Sequence, residues 1–230
     1  MRRRPGIAVA VPLALLLAGC AARPPKPPPA PSLPILSGEQ CLGDLATRGV
    51  DFRLAPLRAS AGPCAVDTSV EVSRAAVAWN QPALMSCGLA DRLDRFLVEA
   101  AEPLALRYLG STITRFDHFG AYSCRREIGQ AGRWSEHAAG RAIDVSGFVT
   151  AEGRRIKIEQ EWNRPGPTRD FLRAIASRAC DYFNVVLTPD SDRYHYNHLH
   201  FDIGPWRLCQ TRARTSVPTA SGKIDSGGSP

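Results

Sequence analysis

The chain has 230 residues, 44% of them hydrophobic, which supports one ordinary globular domain with tails and argues against two full domains. Of its 29 basic residues, Arg2, Arg3 and Arg4 fall in a leader expected to be removed, leaving 26 against 22 acidic residues. That excess is modest, and no basic stripe is interleaved with aromatics. A nucleic-acid partner is therefore excluded in favour of a general attraction to anionic wall or membrane polymers.

A basic start, an apolar run over residues 7–18, and Leu17, Ala18, Gly19 and Cys20 in succession open the chain. The run is shorter than the roughly 20 residues a membrane-spanning helix needs, so residues 1–19 read as an export signal. This segment resembles a bacterial lipoprotein signal peptide. The resemblance implies diacylation of Cys20 and, with no Asp at position 21, an outer-membrane anchor facing the periplasm. Residues 20–34 form a tether in which proline dominates from residue 23 and favours polyproline II; those last 12 residues reach about 37 Å. Residues 35–210 are the expected folded domain, and residues 211–230, poor in apolar side chains, are an expected disordered tail.

Within the domain, Cys41, Cys64, Cys87, Cys124, Cys180 and Cys209 are an even set in an exported chain and predict three disulfides, whose pairing the spacing cannot choose. No CxxC pair points to a cysteine zinc site or a redox motif. Leu89, Leu93, Phe96, Leu97 and Ala100 predict an amphipathic helix from near Cys87, disturbed or ended around Pro103. Strands are predicted at residues 111–116, 141–145, 155–158, 185–188 and 198–203, with a hairpin turning at Glu152 and Gly153. A second helix follows Pro167, with Thr168 a candidate cap and Phe171, Leu172, Ile175, Ala179 and Phe183 buried. This irregular order predicts an α+β fold with a small antiparallel sheet flanked by helices.

Two stretches carry chemistry. In the first, His137 and Asp144 are separated by small residues and Gly140, so a loop histidine and a strand aspartate can converge around an ion. In the second, which runs from His195 to Ile203, Leu199, Phe201 and Ile203 alternate with His198, His200 and Asp202, giving one apolar face and one that binds metals or moves protons. Four of the five histidines fall in these stretches. Two imidazoles and one carboxylate would leave the fourth position of a tetrahedral zinc for water, as in catalytic sites. Other residues say less. Ser123 and Ser146 lack the surroundings of an activated nucleophile, Trp134 and Trp162 could line a cleft or fill the core, His118 stays unassigned, and Asp202 could instead pair with an arginine.

The pattern Ser135-x-His137-x-x-Gly140-x-Ala142-x-Asp144, followed far downstream by His198-x-His200, resembles the LAS-type zinc peptidases, which include D-Ala-D-Ala carboxypeptidases and murein endopeptidases. A closer likeness, over most of residues 41–209, is to the bacterial extensin-like C-terminal domain family. It is carried by residues 122–125, 135–137 and 179–183, by Gly140 and Asp144, and by the final His-rich strand. The peptidase resemblance implies His137, Asp144 and His200 as ligands of one zinc ion, and Arg125 as the group steadying the substrate carbonyl or its oxyanion. Many such carboxypeptidases carry a carboxylate where this chain has Asn197. The endopeptidase branch instead uses a histidine two residues before the last ligand, which implies His198 as general base or transition-state donor, with His195 orienting it or capping the strand.

The leading expectation is zinc-dependent hydrolysis of peptide bonds in peptidoglycan stem peptides or cross-links. A second is a zinc-containing binding module for wall peptides without turnover, favoured by Asn197. A third is a disulfide-stapled structural lipoprotein without metal.

Overall fold

The computed structural model describes residues 34–55, 62–128 and 132–211. The leader, Cys20, almost all of the tether and almost all of the tail lie outside the described residues. Among the described residues no helix is long and apolar enough to cross a membrane.

The domain is α+β, and its sheet is larger than the small antiparallel one expected. Nine strands take part: β1 (Asp51–Leu54), β2 (Ser69–Arg74), β3 (Ala78–Ser86), β4 (Ile113–Gly120), β5 (Ala142–Thr150), β6 (Arg155–Lys157), β7 (Val185–Leu187), β8 (Leu199–Asp202) and β9 (Leu208–Cys209). Their order is β1-β2-β3-β4-β5-β8-β7-β9, with β6 also paired to β5. The sheet is mixed: β3 runs parallel to β4, and β7 parallel to β9. The first parallel pair follows from the helices joining its strands, since parallel neighbours need a long crossover.

That crossover is the amphipathic helix read from the sequence. Helix α2 (Cys87–Phe96) begins where Ser86 Oγ accepts from the Leu89 N–H, and it passes through a π-helical turn (Leu97–Ala101) into α3 (Glu102–Leu109). Pro103 accounts for the turn. It has no N–H for the ladder and its ring crowds the preceding carbonyls, so one bond, from Glu102 N–H to Leu97 O, spans an extra residue. An unforeseen helix, α1 (Gly38–Thr47), buries Cys41 and Leu45 beside α2, and α4 (Ile158–Glu161) is a single turn.

The last helix, α5 (Pro167–Ala179), buries the expected Phe171, Leu172, Ile175 and Ala179. Thr168 is not its cap. Gly166 holds that position without a side-chain bond, and Thr168 sits inside the first turn, where its Oγ1 accepts from Arg154. Phe183, beyond the helix, stacks on Phe201 at 4.8 Å, and Phe96 meets both edge-on. This aromatic cluster seats the apolar face of β8 and leaves its other face to the cleft. Trp162 is also core, with its indole N–H on Asp190.

The hairpin at Glu152 and Gly153 forms as expected, with Gly153 at φ 78° and its N–H on Thr150 O. All three disulfides are present. Cys41–Cys87 joins α1 to α2, Cys64–Cys124 anchors the segment leading to Arg125, and Cys180–Cys209 ties the end of α5 to β9.

A candidate metal centre

His137 lies on a 3₁₀ turn (Glu136–Ala139) whose start is capped by Ser135: the Ser135 Oγ accepts from the His137 N–H at 3.3 Å. The turn ends at Gly140, in the left-handed region at φ 63°. A side chain there would be strained, and its Cβ would come within 3.0 Å of the Ser86 backbone nitrogen, which donates to Gly140 O at 2.8 Å. The Ser-x-His-x-x-Gly spacing is thus a local device that turns the chain from His137 directly into β5.

On β5, Ile143 and Val145 are fully buried and Asp144 points the other way. Asp144 pairs in register with His200 of β8. Cross-strand partners hold their Cβ atoms about 5 Å apart, so the ladder itself brings carboxylate and imidazole together. His137 Nε2, Asp144 Oδ1 and His200 Nδ1 lie 3.2, 3.1 and 3.3 Å from one another. Four-coordinate zinc with bonds of about 2.0–2.1 Å requires ligand atoms about 3.3–3.4 Å apart. The spacing fits such an ion.

The proton positions fit as well. Ala121 O can only accept, so at 2.6 Å it fixes the proton of His137 on Nδ1 and leaves a lone pair on Nε2. The Asp202 carboxylate does the same for His200, holding Nε2–H at 3.1 Å and freeing Nδ1. Asp202 is itself held by the Gly204 N–H at 2.9 Å. Asp202 therefore pairs with His200 and not with an arginine. Three lone pairs converge with no proton of their own between them, an arrangement that calls for a cation. Without metal, a proton fills the role. Burial would lower the pKa of His200, but Asp144 and Asp202 push it up to about 9. Burial likewise raises Asp144, but the facing imidazoles hold its carboxyl well below the usual range. Among the described residues, these three form the only such metal-competent group.

The centre opens into a cleft of about 480 Å³ that also reaches His195, His198 and Arg125. His198 stands just before β8, outside the strand expected to hold it. Its Nδ1 donates to Asn197 Oδ1 at 2.9 Å, and its Nε2 lies 3.4 Å from Asp144 Oδ1. The amide at position 197 thus orients His198. Burial pushes the pKa of His198 down to about 4, against the attraction of Asp144. His195 ends a second 3₁₀ turn (Arg193–His195), with its Nδ1 on Asp192 Oδ1 at 2.8 Å and its ring 5.1 Å from that of His198. Arg125 starts a small arm in which Ser135 and Arg125, Glu127 and Arg133 pair through their backbones. Its guanidinium makes no hydrogen bond or ion pair among the described residues. His118 lies elsewhere, buried against Trp79 and Phe116.

Of the supporting groups, Asp192 escaped the sequence reading although Asp-x-x-His is a visible spacing for a turn cap. The role of Asn197 had no sequence signal beyond adjacency.

Fold and site together define an α+β domain with a His/Asp/His centre, able to hold a metal, at the floor of an open cleft. The chain belongs to the family described as extensin-like protein C-terminus, whose family model matches residues 39–210. No curated protein and no solved structure matches it.

Proposed function

We propose that this domain is a zinc-dependent peptidase acting on peptide bonds of bacterial peptidoglycan. The observation that carries the reading is the convergence of three lone pairs on His137, Asp144 and His200, with both imidazole protons directed outward onto fixed acceptors. When bound there, zinc supplies Lewis acidity, polarising a carbonyl and lowering the pKa of water toward about 7.

The chain's own residues supply the rest. His198, kept neutral by burial and oriented by Asn197, presents a bare Nε2 to the cleft and takes the proton of the attacking water, returning it to the leaving amine. His195, backed by the Asp192 carboxylate, stands beside it to support the developing charge. Arg125, without a hydrogen-bond or ion-pair partner among the described residues, is placed to meet the carbonyl oxygen. These assignments follow the likeness to LAS-type peptidases. Exported placement with an outer-membrane anchor at Cys20 belongs to the same reading; Cys20→Ser should release soluble protein on fractionation, and continued membrane association would refute the anchor.

The alternative, a zinc-containing module that holds wall peptides without cleaving them, drew on Asn197 as a lost carboxylate. An amide that orients His198 gives position 197 a role in the peptidase reading as well. Digestion of defined muropeptides followed by mass spectrometry decides between them. The zinc-loaded chain should cleave, His198→Ala should keep most of the zinc and lose about 100-fold to 10,000-fold in rate, and His200→Ala should lose both. Binding of muropeptides with no product from the parent chain would establish the alternative.

A further inference from the structure

Charge in the cleft is unevenly committed. Five carboxylates line it, and each is engaged within the protein: Glu127 with Arg133 at 3.3 Å, Glu136 with Arg141 at 2.8 Å, Asp192 with His195 at 2.8 Å, Asp202 with His200 at 3.1 Å, and Asp144 with the imidazoles of the metal centre. Of the arginines on its walls, Arg125 and Arg207 make no hydrogen bond or ion pair among the described residues. With every acid there already partnered, Arg125 and Arg207 are the charged groups on the cleft walls left to pair with an anionic group that enters.

Beside Arg207 stands Trp206, 62% exposed. The Arg133 guanidinium lies 5.3 Å from the centroid of its indole, and Arg133 is in turn held by Glu127. Ile128 and Leu208, also exposed, line the same cleft. Apolar side chains gathered at one cleft with a free cation among them mark a ligand surface more than isolated exposed residues would. The backing is firm. Leu208 donates to Asn184 O at 2.9 Å and pairs with Val185, and the neighbouring Cys209 is bonded to Cys180.

We propose that Arg207 and Trp206 form a carboxylate-reading subsite on the cleft wall, and that the ligand is a short peptide with a free carboxylate to one side of the bond held at the metal centre. The planar guanidinium of Arg207 takes the carboxylate in a two-point bond, and Trp206 covers the small apolar groups next to it. Arg125 is left for the carbonyl. That the ligand is a peptide rests on the peptidase reading; that it is anionic rests on the charges alone.

The test titrates the zinc-loaded domain, carrying His198→Ala so that the probe is not consumed, with N-acetyl-D-alanyl-D-alanine and with its C-terminal amide, by calorimetry. The free acid should bind about tenfold more tightly than the amide, the scale of one charge-assisted bond. Arg207→Gln, an exposed change that leaves the fold alone, should erase the difference, and Arg207→Lys should keep part of it. Trp206→Ala should weaken both probes alike. Equal binding of acid and amide, absence of binding by either, or a preference that survives Arg207→Gln overturns the subsite. Muropeptide cleavage by the parent chain separates this from the broader reading. Cleavage without the acid preference removes the subsite alone, whereas an Arg207-dependent preference without cleavage keeps the subsite and removes the peptidase.

Discussion

His118 and His200 sit on β4 and β8, the two strands that flank β5, and both are turned away from water. They have become chemically opposite. His118 is packed against Trp79 and Phe116, its Nε2 meets only Gln81 O at 3.0 Å, and its Nδ1 has no hydrogen-bond partner among the described residues. Burial pushes its pKa down and keeps it neutral. His200 lies between two carboxylates that outweigh burial and raise it to about 9. Burial by itself makes a silent imidazole. A carboxylate behind the ring, with a second carboxylate and a second imidazole ahead of it, makes an imidazole able to hold a metal.

The contrast breaks most visibly at the ligands. His137→Ala and Asp144→Ala should each abolish stoichiometric zinc in the purified domain, measured by metal analysis, while His118→Leu should keep one zinc per chain. In the same series Asp202→Asn should retain the metal but bind it about 10-fold to 100-fold more weakly, because the outer carboxylate fixes the tautomer of His200. Unchanged affinity in Asp202→Asn would leave the tautomer argument without support.

A smaller effect separates the two histidines by pH in the metal-free domain. His200 has a folded pKa above its unfolded value of about 6.5, so its stabilisation is fully present below that pH and is lost as pH rises through about 9. Between pH 7 and 9 the loss is about 2 kcal/mol. His118 is shifted the other way: its contribution is intact above about pH 6.5 and declines as the solution is made more acid. Urea melts of chelator-treated protein across this range should show a downward slope at alkaline pH that His200→Gln removes. They should also show an acid-side slope, to which the buried His198 and His195 contribute as well, that His118→Leu reduces. Zinc must displace the His200 proton, so its affinity should climb with pH up to about 9.

The elements nearest the site were the most legible. The alternation at residues 199–203 placed one face of β8 in the core and the other in the cleft, and Phe201 on Phe183 with His200 on Asp144 bears that out. The helix from Cys87 and its disturbance at Pro103 were equally plain, because periodicity and proline act locally. The three strands β1 to β3 went unread. Val70 and Val72 alternate with polar neighbours in a short segment that looks ordinary in isolation, and only pairing with Ala83 and Met85 makes it a strand.

What the sequence by itself determined is therefore what depends on neighbours along the chain: the period-two faces of β5 and β8, the Ser135-capped turn closed by Gly140, the even cysteine count, and the residue types that converge as His137, Asp144 and His200. Tertiary structure decided which cysteines join, how far the sheet extends, that Asp202 and not an arginine's needs sets His200, and that Asn197 turns His198 toward the cleft. It also decided that His118, chemically identical to the other histidines, is packed against Trp79 and Phe116, apart from the His/Asp/His group. A side chain's protonation and partners are set by the field and the solvent it meets after folding, and that environment is assembled from segments far apart in the chain.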